Sequence, residues 1–247
     1  MSITQLDPGL FRGTARRISA LRQRLARTPD PAGLAAVLRE TSITGETSPD
    51  DQILENIRAA LVTPVFSVEV SNAGPGGLHR HSITAGANAV CVRMSTAGED
   101  FADLAGSPFP LLPGELTRLV QFLPGQPPPP AATEIELSAD LIADLADEDQ
   151  STRVAAWARI RPRLAEAVEL DPQDESWQLV ESRTDWTGTD GRPVDTLGIY
   201  LRAGQHHLLP VQDSAETVRL VPVPSIQAWE QLVHVLPGKD EVQRPSS

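Results

Sequence analysis

Two segments of this chain close with almost the same seven residues, LVQFLPG at 119–125 and LVHVLPG at 232–238. The two copies stand 113 positions apart and agree at five of the seven positions. An internal repeat constrains architecture more than any other feature, because it implies two copies of one supersecondary unit. The sequence before each copy is organised alike: helix, strand, Gly-rich turn, three strands in all after it, proline, helix, LPG. The Gly-rich turns, GPGG at 74–77 and GTDG at 188–191, are nearly as far apart as the closing motifs. The register is not constant, since CVRM matches IYLR only after a shift of several residues. One such unit leaves a strand edge open, and pairing two units into a continuous sheet closes it. The expected fold is α+β: two similar α/β halves, in a quasi-two-fold repeat, sharing a central antiparallel sheet with flanking helices.

The pattern divides the chain into an Arg-rich helical segment at 1–45, a first half at 46–125, a proline-rich bridge at 126–132, a second half at 133–238 and a polar tail at 239–247. Ile18, Leu21 and Leu25 recur at helical spacing among arginines, which predicts an amphipathic helix docked on an acidic body. AGLAAVLRET reads as a short helix, and Ser48 caps a helix over SPDDQILENIRAALV. VFSVEV alternates as a half-buried strand should. LHRHSIT and ANAVCVRM are further strands, and STAGEDFADLAGSPF is a hairpin connection with a short edge strand. GELTRLVQFL is expected to be helical up to Pro124-Gly125, and SIQAWEQLVHVL up to Pro237-Gly238. In the second half, Ser138 caps SADLIADLADED. A longer helix follows, with Val154, Trp157, Ile160, Leu164 and Val168 on one face.

Net charge is −12, and Lys239 is the single lysine. That balance argues against nucleic acid as a partner, which calls for a positive field. No apolar run approaches the roughly 20 residues that span a bilayer, so stable membrane insertion is not expected. The first residues lack the order of a secretory signal, and the lone Cys91 fits a reducing cytoplasm.

Candidate chemistry is sparse. His79 and His81 share one strand face, but no further ligands accompany them, so no metal site and no cofactor is expected. His206 and His207 face opposite ways. Cys91 sits in an apolar strand, where a thiol is inert. Asp140, Asp144, Asp147, Glu148 and Asp149 form a solvated acidic run. No phosphate-binding, dinucleotide, nucleophile-elbow or zinc-protease motif occurs. The chain is therefore expected not to be an enzyme.

The segments AVCVRMSTAGEDFADLAGSPFPLLPGELTRLVQFLPG, LPGQPPPPAATEIELSADLIADL and LGIYLRAGQHHLLPVQDSAETVRLVPVPSIQAWEQLVHVLPG resemble the EspG-like chaperones of type VII (ESX) secretion in actinobacteria. The likeness covers about residues 50–238 and departs from the family in the Arg-rich start. It implies a cytoplasmic chaperone that keeps helical secreted substrates soluble by binding their exposed tip. It further implies partner contacts at Ser71, Asn72, Gly74, Pro75, Gly76, Gly77 and Leu78, and on helices at Leu141, Leu145, Trp157 and Leu164. The stretch SNAGPGGL is rich in glycine, and its length predicts a mobile loop projecting from the sheet. Two other readings stay open. One is a small-molecule-binding or hydrolytic enzyme in which His79, His81 or Asp185 converge. The other is a structural or regulatory module that forms a homodimer through an open sheet edge.

Overall fold

The structure, a computed structural model, describes residues 3–7, 10–28, 30, 33, 37, 43–44, 51–171, 173–238 and 240–242. The first half runs β2 (Leu10–Thr14), α1 (Ala15–Ala26), α2 (Asp51–Val62), β4 (Phe66–Gly74), β5 (Gly77–Ala85), β6 (Ala89–Thr96), β7 (Phe101–Pro108) and α3 (Leu112–Leu119). The second repeats the order: β8 (Ile135–Ser138), α4 (Ala139–Leu145), α5 (Gln150–Ala167), β9 (Trp177–Thr187), β10 (Pro193–Ala203), β11 (His206–Gln212), β12 (Thr217–Val223) and α6 (Ser225–Val233). Two short strands, β1 (Ile3–Asp7) and β3 (Ile43–Thr44), extend the first half alone.

Among the described residues the twelve strands form one sheet, in the order β3-β1-β2-β7-β6-β5-β4-β9-β10-β11-β12-β8. Every pairing is antiparallel except β1 with β3. The halves meet at β4–β9, so the order reads outward alike in both directions as far as β2 and β8. Each outer strand runs straight into a helix through a hydroxyl cap. Thr14 accepts from the Arg17 N–H, and Ser138 from the Leu141 N–H. Such caps satisfy N–H groups that a helix start leaves open.

Both sheet faces are covered, which explains the unbroken apolar run in β6. Val90 and Val92 join a central core with α3 and α6, whereas Cys91 joins a core with α1 and α2 on the other face. On that same other face α4 and α5 build a third core over Leu179, Leu201 and Leu208. Burial pushes the Cys91 thiol up to about 12, so it stays protonated.

Several expectations change. The Arg-rich helix is not a separate segment ending at 45. Ile18, Leu21 and Leu25 pack with Phe11, Leu54 and Ile57, and β2–α1 stands in the first half where β8–α4 stands in the second. The strand β7 lies between β6 and β2 and is not an edge. The buried face of α5 carries Ala156 with Trp157, Ile160 and Leu164, leaving Val154 exposed. Neither closing helix reaches its LPG. α3 stops at Leu119 and α6 at Val233, so the repeated motif is mainly the path by which the chain leaves each helix. Ser48 and, apart from Gly33 and Val37, the helix expected over 32–41 lie outside the described residues. Of the tail, 240–242 are described, and Val242 bridges to Gly188.

Candidate functional site

Strand parity selects the residues that meet on the α3 face. Asn72 pairs with Val180, and Gln178 pairs with Arg202 across the next ladder. Three adjacent strands, β4, β9 and β10, thereby bring Asn72, Gln178 and Arg202 together on one surface. Arg202 donates from Nε to the Gly204 carbonyl at 3.0 Å, which orients its guanidinium along the sheet.

The hairpin over this floor is tight. Gly74 pairs with Gly77, leaving Pro75 and Gly76 as a two-residue turn. Gly77 has φ of +136°, a backbone that side-chain-bearing residues rarely adopt. The expectation of a long mobile loop over 71–78 is therefore corrected: Ser71–Gly74 and Gly77–Leu78 are strand.

The first closing motif forms the roof. Its Val120 carbonyl accepts from Gln178 Nε2. Gln121 then takes a left-handed φ of +50°, which ends the helical path. Phe122 crosses into the second half and packs on His207, Tyr200 and Trp229, with ring centroids 5.3, 5.9 and 5.5 Å away. Beyond it the Gly125 N–H donates to Ser225 Oγ and the Gln126 N–H to the Gln205 carbonyl, each at 2.7 Å. The result is a cleft of about 200 Å³ between the turn, Asn72, His79, Gln121, Leu123, Gln178 and Arg202. No carboxylate lines it.

A second hollow of about 370 Å³ lies beside the first, lined by Arg12, His81, Met94, Thr96, Glu99, Phe101 and Asp103. His79 and His81 form the ridge between them, stacked at 6.3 Å and 6°. His79 Nδ1 lies 3.1 Å from Thr96 Oγ1. Arg12 makes two 2.7 Å bonds to Asp103 along the far wall. An exposed Phe101 rims one hollow and an exposed Leu123 the other.

His81 faces the Leu119 carbonyl at the end of α3, and its Nδ1 has no partner. Burial, helped by His79 and Arg118, lowers its pKa to about 4, and burial lowers that of His207 to about 4. A histidine in the unfolded chain titrates near 6.5. Between these limits the unfolded chain holds more protons, so stability falls as pH falls from about 6.5 towards 4. Each histidine contributes a slope of about 1.4 kcal/mol per pH unit there. Urea unfolding between pH 7 and 5 should show that loss. A His81→Gln/His207→Gln variant should show a flatter profile, and an equal slope in both proteins would contradict neutral buried imidazoles.

The structure separates the residues that the resemblance grouped. Asn72, Gly74, Pro75, Gly76 and Gly77 line the cleft. Ser71 lies on the opposite face, with Oγ 3.3 Å from Glu181. Leu78, Leu141, Leu145, Trp157 and Leu164 are 2, 6, 0, 4 and 0 % exposed and belong to the core under α4 and α5. They are packing residues with no surface to offer a partner. Asp185 pairs with Ser67 on the face opposite His79 and His81, so those three do not converge. Among the described residues no three His, Cys, Asp or Glu side chains gather as for a metal ion. No helix among them is long and apolar enough to cross a membrane. Gln178, Arg202, Gln121 and Leu123 carried no local signal beyond the repeat to which Gln121 and Leu123 belong.

No family model and no curated protein sequence matches the chain. Among solved structures the chain is similar to one of the Mycobacterium tuberculosis type VII secretion system chaperone EspG5 in complex with a PE25–PPE41 dimer. The superposition has a TM-score of 0.51 at 11 % identity and covers 95 % of this chain and 100 % of that one. At that identity the likeness is one of fold, and it extends over nearly the whole chain.

Proposed function

We propose that this chain is a binding protein of a type VII secretion system, a chaperone or adaptor that holds a helical secreted substrate in the cytoplasm. The observation that carries the reading is the shared fold over nearly the whole chain with a chaperone captured on its PE25–PPE41 dimer. The docking surface is the α3 face, where two adjoining hollows are rimmed by exposed Phe101 and Leu123. Exposed aromatic and aliphatic anchors beside recessed polar groups suit a protein partner. The protein acts by binding and carries out no chemistry of its own. The balance of negative charge keeps the free chaperone from associating with itself.

The test is co-expression with helical protein pairs encoded beside the gene, followed by affinity purification and size-exclusion chromatography. A stoichiometric complex is expected. It should be weakened about tenfold or more by Leu123→Asp together with Phe101→Asp, since buried hot-spot contacts are worth about 2 kcal/mol each or more. Failure of every neighbouring pair to form a complex, or a complex indifferent to the double variant, would refute the assignment of this face.

A further inference from the structure

We propose that the cleft beneath the Gly74–Gly77 turn is an anchoring pocket for a peptide carboxylate, an aspartate or glutamate side chain or a chain terminus. The inference rests on the reading of the α3 face as the docking face and gives the chemistry of its anchor.

Three polar groups in the pocket have unused capacity. Arg202 spends Nε on the Gly204 carbonyl, and its terminal nitrogens have no carboxylate within ion-pair distance among the described residues. Asn72 is only 4 % exposed, yet its amide makes no hydrogen bond to the described residues. Gln178 is locked by donating Nε2 to Val120, which leaves Oε1 buried as an acceptor without a donor. Buried polar groups are nearly always partnered, and each one left open is costly. With Gln178 held in place, the Arg202 fork and the Asn72 amide are polar groups that line the cleft.

The sign and geometry of a matching ligand follow. The guanidinium is a forked donor that matches a planar carboxylate with two parallel bonds. The Asn72 amide supplies a further donor from β4, on the far side of β9. One full positive charge balances one negative charge, whereas a phosphate dianion would remain under-neutralised. Gln178 Oε1 is closed off from the cleft, so Gln178 sets the floor through its bond to Val120 and leaves the contact to Arg202 and Asn72. The volume of about 200 Å³ admits a single residue. Asp174 lies behind Gly204 with Oδ2 towards it, while its Oδ1 accepts from the Ser176 N–H and hydroxyl; it makes no ion pair with Arg202.

The experiment is an NMR titration of the ¹⁵N-labelled full chain with small peptides. The probes are N-acetyl-aspartate N-methylamide, its asparagine isostere, N-acetyl-glycyl-glycine with a free carboxylate, and inorganic phosphate. Saturable shifts at Asn72, Gly76, Gly77, Gln178 and the Arg202 Nε–H are expected with at least one peptide carboxylate, with a Kd on the order of millimolar. The aspartate derivative and the free glycine carboxylate separate a side-chain source from a terminal one. The asparagine isostere should bind about tenfold more weakly or not at all. Arg202→Gln should abolish the shifts, Arg202→Lys should weaken them, and Arg183→Gln on the opposite face should leave them unchanged. Equal binding of aspartate and asparagine probes, preference for phosphate, no saturable shift, or full binding by a folded Arg202→Lys protein together with Arg202→Gln would overturn the proposal. Because no substrate protein enters the titration, a negative result here leaves complex formation to its own test, and the converse also holds.

Discussion

A Leu164→Ala variant loses about 2–5 kcal/mol of unfolding free energy, the usual result of emptying a buried leucine site. Leu164 is fully buried on α5, among Trp157, Ile160, Leu179, Leu201 and Leu208. The sheet below and the helix backbone cannot collapse far enough to fill the space. The stacked Trp157–Trp177 pair, with ring centroids 5.6 Å apart, lies in the same core and should become more accessible. Urea unfolding followed by tryptophan fluorescence gives the loss directly. Partner affinity per folded molecule should stay unchanged, because Leu164 lies on the face away from the cleft. Retained stability with lost binding would restore Leu164 as a contact residue and contradict its place in the core.

Gly198→Val should destabilise by about 3 kcal/mol, at the upper end of the range for overpacking. Gly198 lies in β10 directly beneath α6. A Cβ added there would sit 2.1 Å from the Gln231 carbonyl oxygen and 2.9 Å from a Val235 side-chain carbon. The obstacle is backbone and cannot rotate aside, so α6 must lift. Lifting it strips cover from Val223, Ala228 and Leu232 and breaks the 2.9 Å bond from Thr196 Oγ1 to the Val235 carbonyl. Thermal unfolding and hydrogen exchange across 225–238 measure the effect. An unaltered melting temperature would show that α6 is not seated on β10.

The paired halves, the Ser138 cap and the buried strand around Cys91 were legible because each rests on a pattern in the sequence, whereas the Thr14 cap was not read. The apolar run Val90, Cys91 and Val92 announces a buried strand. Ser138 announces a helix start three residues before Leu141. The cleft was not legible, because it arises from pairing between residues more than a hundred positions apart. Asn72 meets Gln178 and Arg202 only once β4 lies beside β9, and nothing near Asn72 in sequence encodes that neighbour. The helix end at 119 was misread for a related reason. Phe122 and Leu123 continue the apolar rhythm of α3, yet Phe122 is apolar because it packs on Tyr200 and Trp229 of the other half. The helices under the second half were read as binding surfaces through family likeness, while their own pattern described core.

The β4–β9 junction also sets a schedule for biosynthesis. Its partner residues, such as Val70 and Ser182, are more than 100 residues apart in the chain. At about 5–20 residues per second, β4 leaves the ribosome roughly 5–20 s before β9 exists. During that interval the nascent first half presents β4 as a bare edge, with Val68 and Val70 on one side and a single acid, Glu69, to discourage pairing with a neighbouring nascent chain. Two ribosomes on one message would bring two such edges together, so the yield of monomer should depend on how closely translating ribosomes follow one another.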